Sequence, residues 1–189
     1  RFLTTIALGI ASWVAVIFAL CALGVFRLPV VLMIVCLFAV ASILLGVRQT
    51  GGRLYRPTIA VPKFSLEGSL LAGVITVAMP ILFLLCLQPV IAADEGSYHL
   101  TVPKLYLAHH GFRPIPFNVY SNWPLNIELI FSLAMLIKDH VLARLVHWLF
   151  LLLTLFTLYR FGKSRGDEYT GLLAAVLFLG NPVVLLEGC

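Results

Sequence analysis

Two adjacent carboxylates, Asp94 and Glu95, follow directly on the apolar run Gln88-Pro89-Val90-Ile91-Ala92-Ala93 and open a stretch rich in rings and imidazoles. Acids at the edge of such a run lie at the depth of a lipid headgroup, where ionisable groups are costly and mark function. If residues 94–110 are helical, Asp94 and Tyr98 share one face at i,i+4 spacing, and Glu95 and His99 share the neighbouring face. Pro103 would kink that helix and Gly111 would end it. A carboxylate beside aromatic and imidazole groups can take the proton of an acceptor hydroxyl while its neighbours hold a phosphate or a sugar, as general-base catalysis requires. The plainer reading is that both acids favour the N-terminal dipole of the next helix. The spacing leaves the two readings open.

Other groups with chemical potential are scattered. Glu128 lies on a short apolar helix and could point into a site, but a single acid at a helix edge facing water is the blander expectation. His147 sits inside an apolar span, where an ionisable side chain suggests function, although a neutral histidine bonded to a neighbouring helix explains it as well. His109 and His110 are adjacent and diverge by about 100° on a helix, which argues against a shared metal. The acidic pair could hold a divalent cation through oxygen ligands, yet nothing demands a cofactor. Cys21, Cys36 and Cys86 lie in apolar blocks and Cys189 is the last residue, with no metal-ligand spacing and no disulfide framework.

The elements that must position these residues are set by composition. Of 189 residues, 61% are hydrophobic and 11% charged, and the mean hydropathy is +1.06. The apolar residues come in long blocks, as they do when lipid is the solvent, which predicts an all-α bundle of transmembrane helices. The net charge of +5 resides in short clusters between blocks. Such clusters anchor helix ends, so nucleic acid is not an expected partner. Crossing about 30 Å of hydrocarbon takes roughly 20 helical residues. About five stretches come near that length: residues 3–26, 28–46, 70–92, 141–159 and 169–186. Arg27 and Pro29 divide the first two into a tight helical hairpin. The run 2–26 is too long for the apolar part of a signal peptide. The chain opens on Arg1 without a methionine and stops just after an apolar run, so truncation at both ends is expected.

Arg48, Arg53, Arg56 and Lys63 face a single acid, Glu67, in residues 47–69, which makes that connector cytoplasmic. Residues 1–92 then form a three-span membrane region, and Asp94 emerges on the opposite face. The run 125–137 is too short to cross and suits an interfacial or re-entrant helix. Keeping it on the outer surface also returns the span 141–159 inward and leaves Arg160, Lys163 and Arg165 cytoplasmic. Residues 93–140 are thus one long outer segment, with Tyr98, Tyr106, Phe112, Phe117, Tyr120 and Trp123 among its prolines and charges. Long ordered loops of this kind carry function.

The stretch ADEGSYHLTVPKLYLAHHGF followed by NVYSNWPLNIELIFSLAML resembles the first outer loop of GT-C type membrane glycosyltransferases. Within that class it is most similar to the dolichyl-phosphate-mannose–protein mannosyltransferase and aminoarabinose-transferase-like group. The resemblance covers residues 93–186, about half the chain. It implies a polyprenyl-phosphate-linked sugar as donor and a lipid, glycan or protein as acceptor. It also implies a bacterial plasma membrane as the location and Asp94 in the catalytic position with Glu95 assisting. Tyr98 and His99 match the remainder of the motif, and both they and Glu128 are expected to line the substrate site. Related transferases carry a basic residue before the proline that opens the second juxtamembrane helix. This chain has Asn122-Trp123-Pro124 instead, which leaves Lys104 or Arg113 to contact the phosphate. The two spans that precede the third are a further departure and are expected to be an N-terminal addition. Further site residues are expected beyond Cys189, so the fragment alone should not turn over.

The rival expectations are a multi-span transporter or lipid flippase and a non-catalytic scaffold. A transporter should place charges or broken helices near mid-membrane. Here the acids cluster at one surface and, apart from His147, the spans hold few ionisable groups.

Overall fold

A computed structural model describes residues 2–50, 64–90 and 93–187, and every regular element among them is helical. The long helices are α1 (Phe2–Ala22), α2 (Leu28–Thr50), α3 (Leu66–Cys86) and α6 (His140–Arg165). Shorter ones are α4 (Thr101–His109), α5 (Asn126–Ile137), α7 (Glu168–Leu179) and α8 (Pro182–Glu187). A π-helical turn, Glu95–His99, leads into α4, and a 3-10 turn, Val119–Asn122, precedes α5.

Among the described residues four helices are long and apolar enough to cross a membrane, with 6% to 22% of each apolar window buried within the protein. So little burial of so much apolar surface needs a lipid solvent, and the chain is a multi-pass membrane protein. The all-α bundle agrees with the sequence, but the expected fifth span over 169–186 does not form one helix. It is α7 and α8, separated at Gly180-Asn181. Pro182 opens α8, where its missing N–H costs nothing, and the Asn181 side chain accepts a bond from the Val183 N–H at 3.0 Å.

Local chemistry sets the helix ends. Ser65 caps α3 by accepting from the Gly68 N–H at 3.2 Å, Asp139 caps α6 through Leu142 at 3.1 Å, and Asp167 caps α7 through Thr170 at 2.8 Å. Lys163 and Arg165 fall in the last turn of α6, where cations oppose the dipole favourably.

Three contacts fix the two ends of the bundle. The Phe26 N–H donates to the His110 carbonyl and the Phe112 N–H to the Cys21 carbonyl, both at 3.0 Å, so the α1–α2 turn and the end of α4 lie together. Arg144, in the second turn of α6, bonds carbonyls at the end of α3, which brings that junction to the same end. At the other end Phe64, just before α3, lies beside Tyr159 of α6 and Leu172 of α7. The acidic turn and the basic end of α6 are therefore at opposite ends, as the charge pattern predicts. Of the basic connector, Arg53, Arg56 and Lys63 lie outside the described residues.

The end of α4 is held differently from the sequence expectation. Its left-handed residue is His110, at φ 57°, rather than Gly111. Gly111 instead meets α1 so closely that a Cβ there would collide with the Cys21 carbonyl oxygen and approach the Gly24 Cα to 2.9 Å. Absence of a side chain is what lets the loop seat on α1.

Candidate functional site

The acid pair is split. Asp94 is exposed and makes no side-chain capping bond, while Glu95, in the π-helical turn, points into the protein. The expected continuous helix over 94–110 is therefore a wide turn followed by α4. The ladder widens at Leu100, whose N–H bonds to the Glu95 carbonyl at 3.0 Å. Pro103 lies in the first turn of α4, where it is tolerated, and does not kink a longer helix. π-Helical turns occur preferentially at functional sites.

Glu95 meets Arg144, with Oε1 2.9 Å from Nε, and both side chains are largely buried at 13% and 7% exposure. The Nε–H does not aim at that oxygen and makes no hydrogen bond, so the contact is ionic. The other guanidinium nitrogens donate to the Leu85 carbonyl at 3.1 Å and to the Gln88 carbonyl. One side chain thus joins the end of α3, the acidic turn and the start of α6. Nothing in the sequence reading singled out Arg144. Its signal was a lone cation inside an apolar stretch, which in a membrane span calls for a buried partner.

His99 turns to the same side as Glu95, as the i,i+4 spacing predicts, and both line one small cleft with Arg144, Phe131 and His147. Its Nδ1 is 2.6 Å from Glu128 Oε1. An ionised carboxylate only accepts, so Nδ1 then carries the proton. Glu128 is 6% exposed and not a water-facing acid, which corrects the blander expectation. The reason is that α5 packs on both α4 and α6, leaving no free flank at this position. His147 stacks near Phe131, ring centroids 5.9 Å apart. The cleft holds about 20 Å³, room for roughly one water and not for a sugar.

Tyr98 does not line the cleft; its ring touches that of His99, centroids 3.9 Å apart, and joins an aromatic cluster. Its ring stacks on Tyr120 at 4.8 Å and meets Trp123 edge-on at 6.0 Å, while Tyr120 and Trp123 are 5.0 Å apart. Asn118 ties this cluster to the acidic turn: its Nδ2 donates to the Ser97 carbonyl at 2.7 Å, and its Oδ1 accepts from the Tyr120 N–H at 3.1 Å. Trp123 remains 55% exposed.

The candidate phosphate contacts do not join the cleft. Lys104 is exposed on α4, and Arg113 lines a separate cavity beside Trp123. Burial holds the Tyr106 hydroxyl above its usual range, with Cys21 and Glu128 adding to the effect. The Glu95 carboxylate is engaged by Arg144. Among the described residues no group of three or more His, Cys, Asp or Glu could hold a metal.

No family model, no curated protein and no solved structure matches this chain.

Proposed function

We propose that this chain serves a membrane glycosyltransferase reaction, in which a sugar passes from a polyprenyl-phosphate donor to a lipid, glycan or protein acceptor at the non-cytoplasmic face of a bacterial plasma membrane. The observation that carries this reading is the asymmetry of the acid pair: Asp94 is exposed at the start of the turn whose Tyr98 joins an aromatic cluster, and Glu95 is held inward by Arg144. In this scheme Asp94 accepts the proton of the acceptor hydroxyl as that oxygen bonds to the anomeric carbon. The bond from that carbon to the phosphate oxygen breaks, and the lipid phosphate leaves with the electron pair. Glu95 acts as a positioning residue rather than a second base, because its carboxylate is committed to a buried cation. Aromatic rings such as Tyr98, Tyr120 and Trp123 suit the apolar face of a sugar ring.

The test uses the full-length protein in proteoliposomes with a polyprenyl-phosphate-linked sugar and an acceptor extract. Asp94→Asn keeps the shape and removes the base, so turnover should fall by about 10²–10⁴-fold. Unchanged turnover eliminates the role of Asp94. A transporter or flippase would draw on Arg144 and His147, which lie inside α6. In the same vesicles it would move the lipid phosphate between leaflets and release no glycosylated product.

A further inference from the structure

A cavity of about 410 Å³ lies between the last turn of α1 and the loop after α4, within the ~300–1,000 Å³ range of small-molecule sites. Phe18, Tyr106 and Leu129 make its apolar side, and Arg113, Ser121 and Asn126 its polar side. Phe18 is 55% exposed and stands close to the end of the candidate span Leu3–Ala22. The apolar side therefore opens at the membrane boundary, at the depth where Trp residues such as Trp123 gather. The Arg113 side chain is exposed and makes no ion pair among the described residues. The first residues of α5 also line the cavity, and that helix starts without a side-chain cap. Its dipole adds to the positive field of Arg113, offset in part by Glu128 in the same first turn, whose carboxylate is bonded to His99 and does not line the cavity.

Apolar wall, boundary depth and an unpaired guanidinium together describe a host for an anionic amphiphile. Neither Asp94 nor Glu95 lines the cavity, so its occupant is not required to react. Trp123 stands between the two regions, lining the cavity while its ring meets Tyr98 on the acidic turn. We propose that this cavity binds the phosphate headgroup of an anionic phospholipid from the surrounding leaflet, with Arg113 on the phosphate and an acyl chain leaving past Phe18. Arginine can grip a phosphate through two parallel N–H bonds, and no acid pairs with Arg113 among the described residues. The bound lipid would brace α1 against the loop after α4, which Asn118 ties to the acidic turn. The site goes beyond the transferase reading and stands whether or not a sugar is transferred.

The test is native mass spectrometry of the full-length protein titrated with phosphatidylglycerol and, in parallel, phosphatidylcholine. Phosphatidylglycerol should bind at least about tenfold more tightly, the scale of one charge-assisted contact. Arg113→Gln should erase that preference and Arg113→Lys should keep part of it. Arg160→Gln removes the same charge at the opposite end of the bundle and should leave the preference intact. Equal loss in Arg113→Gln and Arg160→Gln would reduce the effect to net charge and overturn the site, as would no loss in Arg113→Gln. Displacement of the lipid by inorganic phosphate at equal concentration would show that the acyl chain contributes nothing and would overturn the phospholipid assignment. Full displacement by an equal concentration of a polyprenyl monophosphate reassigns the cavity to the donor and overturns the phospholipid assignment.

Discussion

Arg144→Met is the most informative change in the bundle, because one side chain holds three elements. The substitution keeps the apolar stem and deletes the guanidinium, leaving the largely buried Glu95 carboxylate without the cation 2.9 Å away. The Leu85 and Gln88 carbonyls lose their side-chain donor in the same step. Deleting one partner of a buried ion pair costs about 3–5 kcal/mol, because the remaining charge stays desolvated. That is a large part of a typical total of about 5–15 kcal/mol. Adding Glu95→Leu removes the stranded charge, so the double variant should be more stable than Arg144→Met alone, with a coupling of up to about 3 kcal/mol. The Leu85 carbonyl keeps the Gln88 N–H at 3.1 Å, so the residual cost is that of the Gln88 carbonyl losing its arginine donor, about 1–3 kcal/mol. Reversible unfolding in mixed micelles, followed by tryptophan fluorescence, measures all four variants of the cycle. A loss below about 1 kcal/mol in Arg144→Met, or costs that simply add in the double variant, would refute the clamp.

Two other changes probe how the loop is seated, and a third probes the cap of α7. Gly111→Ala forces a Cβ against the backbone of Cys21 and Gly24, and overpacking of this kind should cost about 1–3 kcal/mol in the same unfolding assay. His110→Gly removes the side chain from a left-handed residue at φ 57° and should stabilise the fold by about 1 kcal/mol. Asp167 is held below the usual carboxylate range by the Thr170 backbone and hydroxyl bonds. The folded state thus binds this proton less readily than the unfolded chain, whose value is about 3.9. Its contribution is complete above that value and is lost as pH falls through the lower folded pKa. Asp167→Asn should therefore narrow its stability gap to the wild type in acid, and a gap that widens there would contradict the cap.

The spans were legible because hydrocarbon demands apolar runs of fixed length, and Arg27 with Pro29 marked the hairpin without further help. The break in the expected fifth span was legible too, in Gly180-Asn181-Pro182, but composition over the window 169–186 outweighed the punctuation. Glu95 and His99 could be assigned to one side from their spacing alone. Their partners could not: Arg144 and Glu128 reach the acidic turn only through the packing of α5 and α6, and no sequence period connects residues on different helices. A lone acid such as Glu128 reads as solvated because most are. The aromatic residues at 98, 120 and 123 read as a boundary belt, and only the fold draws their three rings together. Gly111 carried a true signal that was assigned to the wrong cause, since glycine serves both helix stops and close backbone approach.

The placement of Asp94 across the bilayer from the basic end of α6 underlies the functional reading. Single-cysteine variants Asp94→Cys and Arg165→Cys, each in a background lacking the native cysteines, can be treated with a membrane-impermeant maleimide in intact spheroplasts. Labelling at position 94 before lysis, and at 165 only after it, is the expected result. Labelling of both positions from the same compartment would contradict the account.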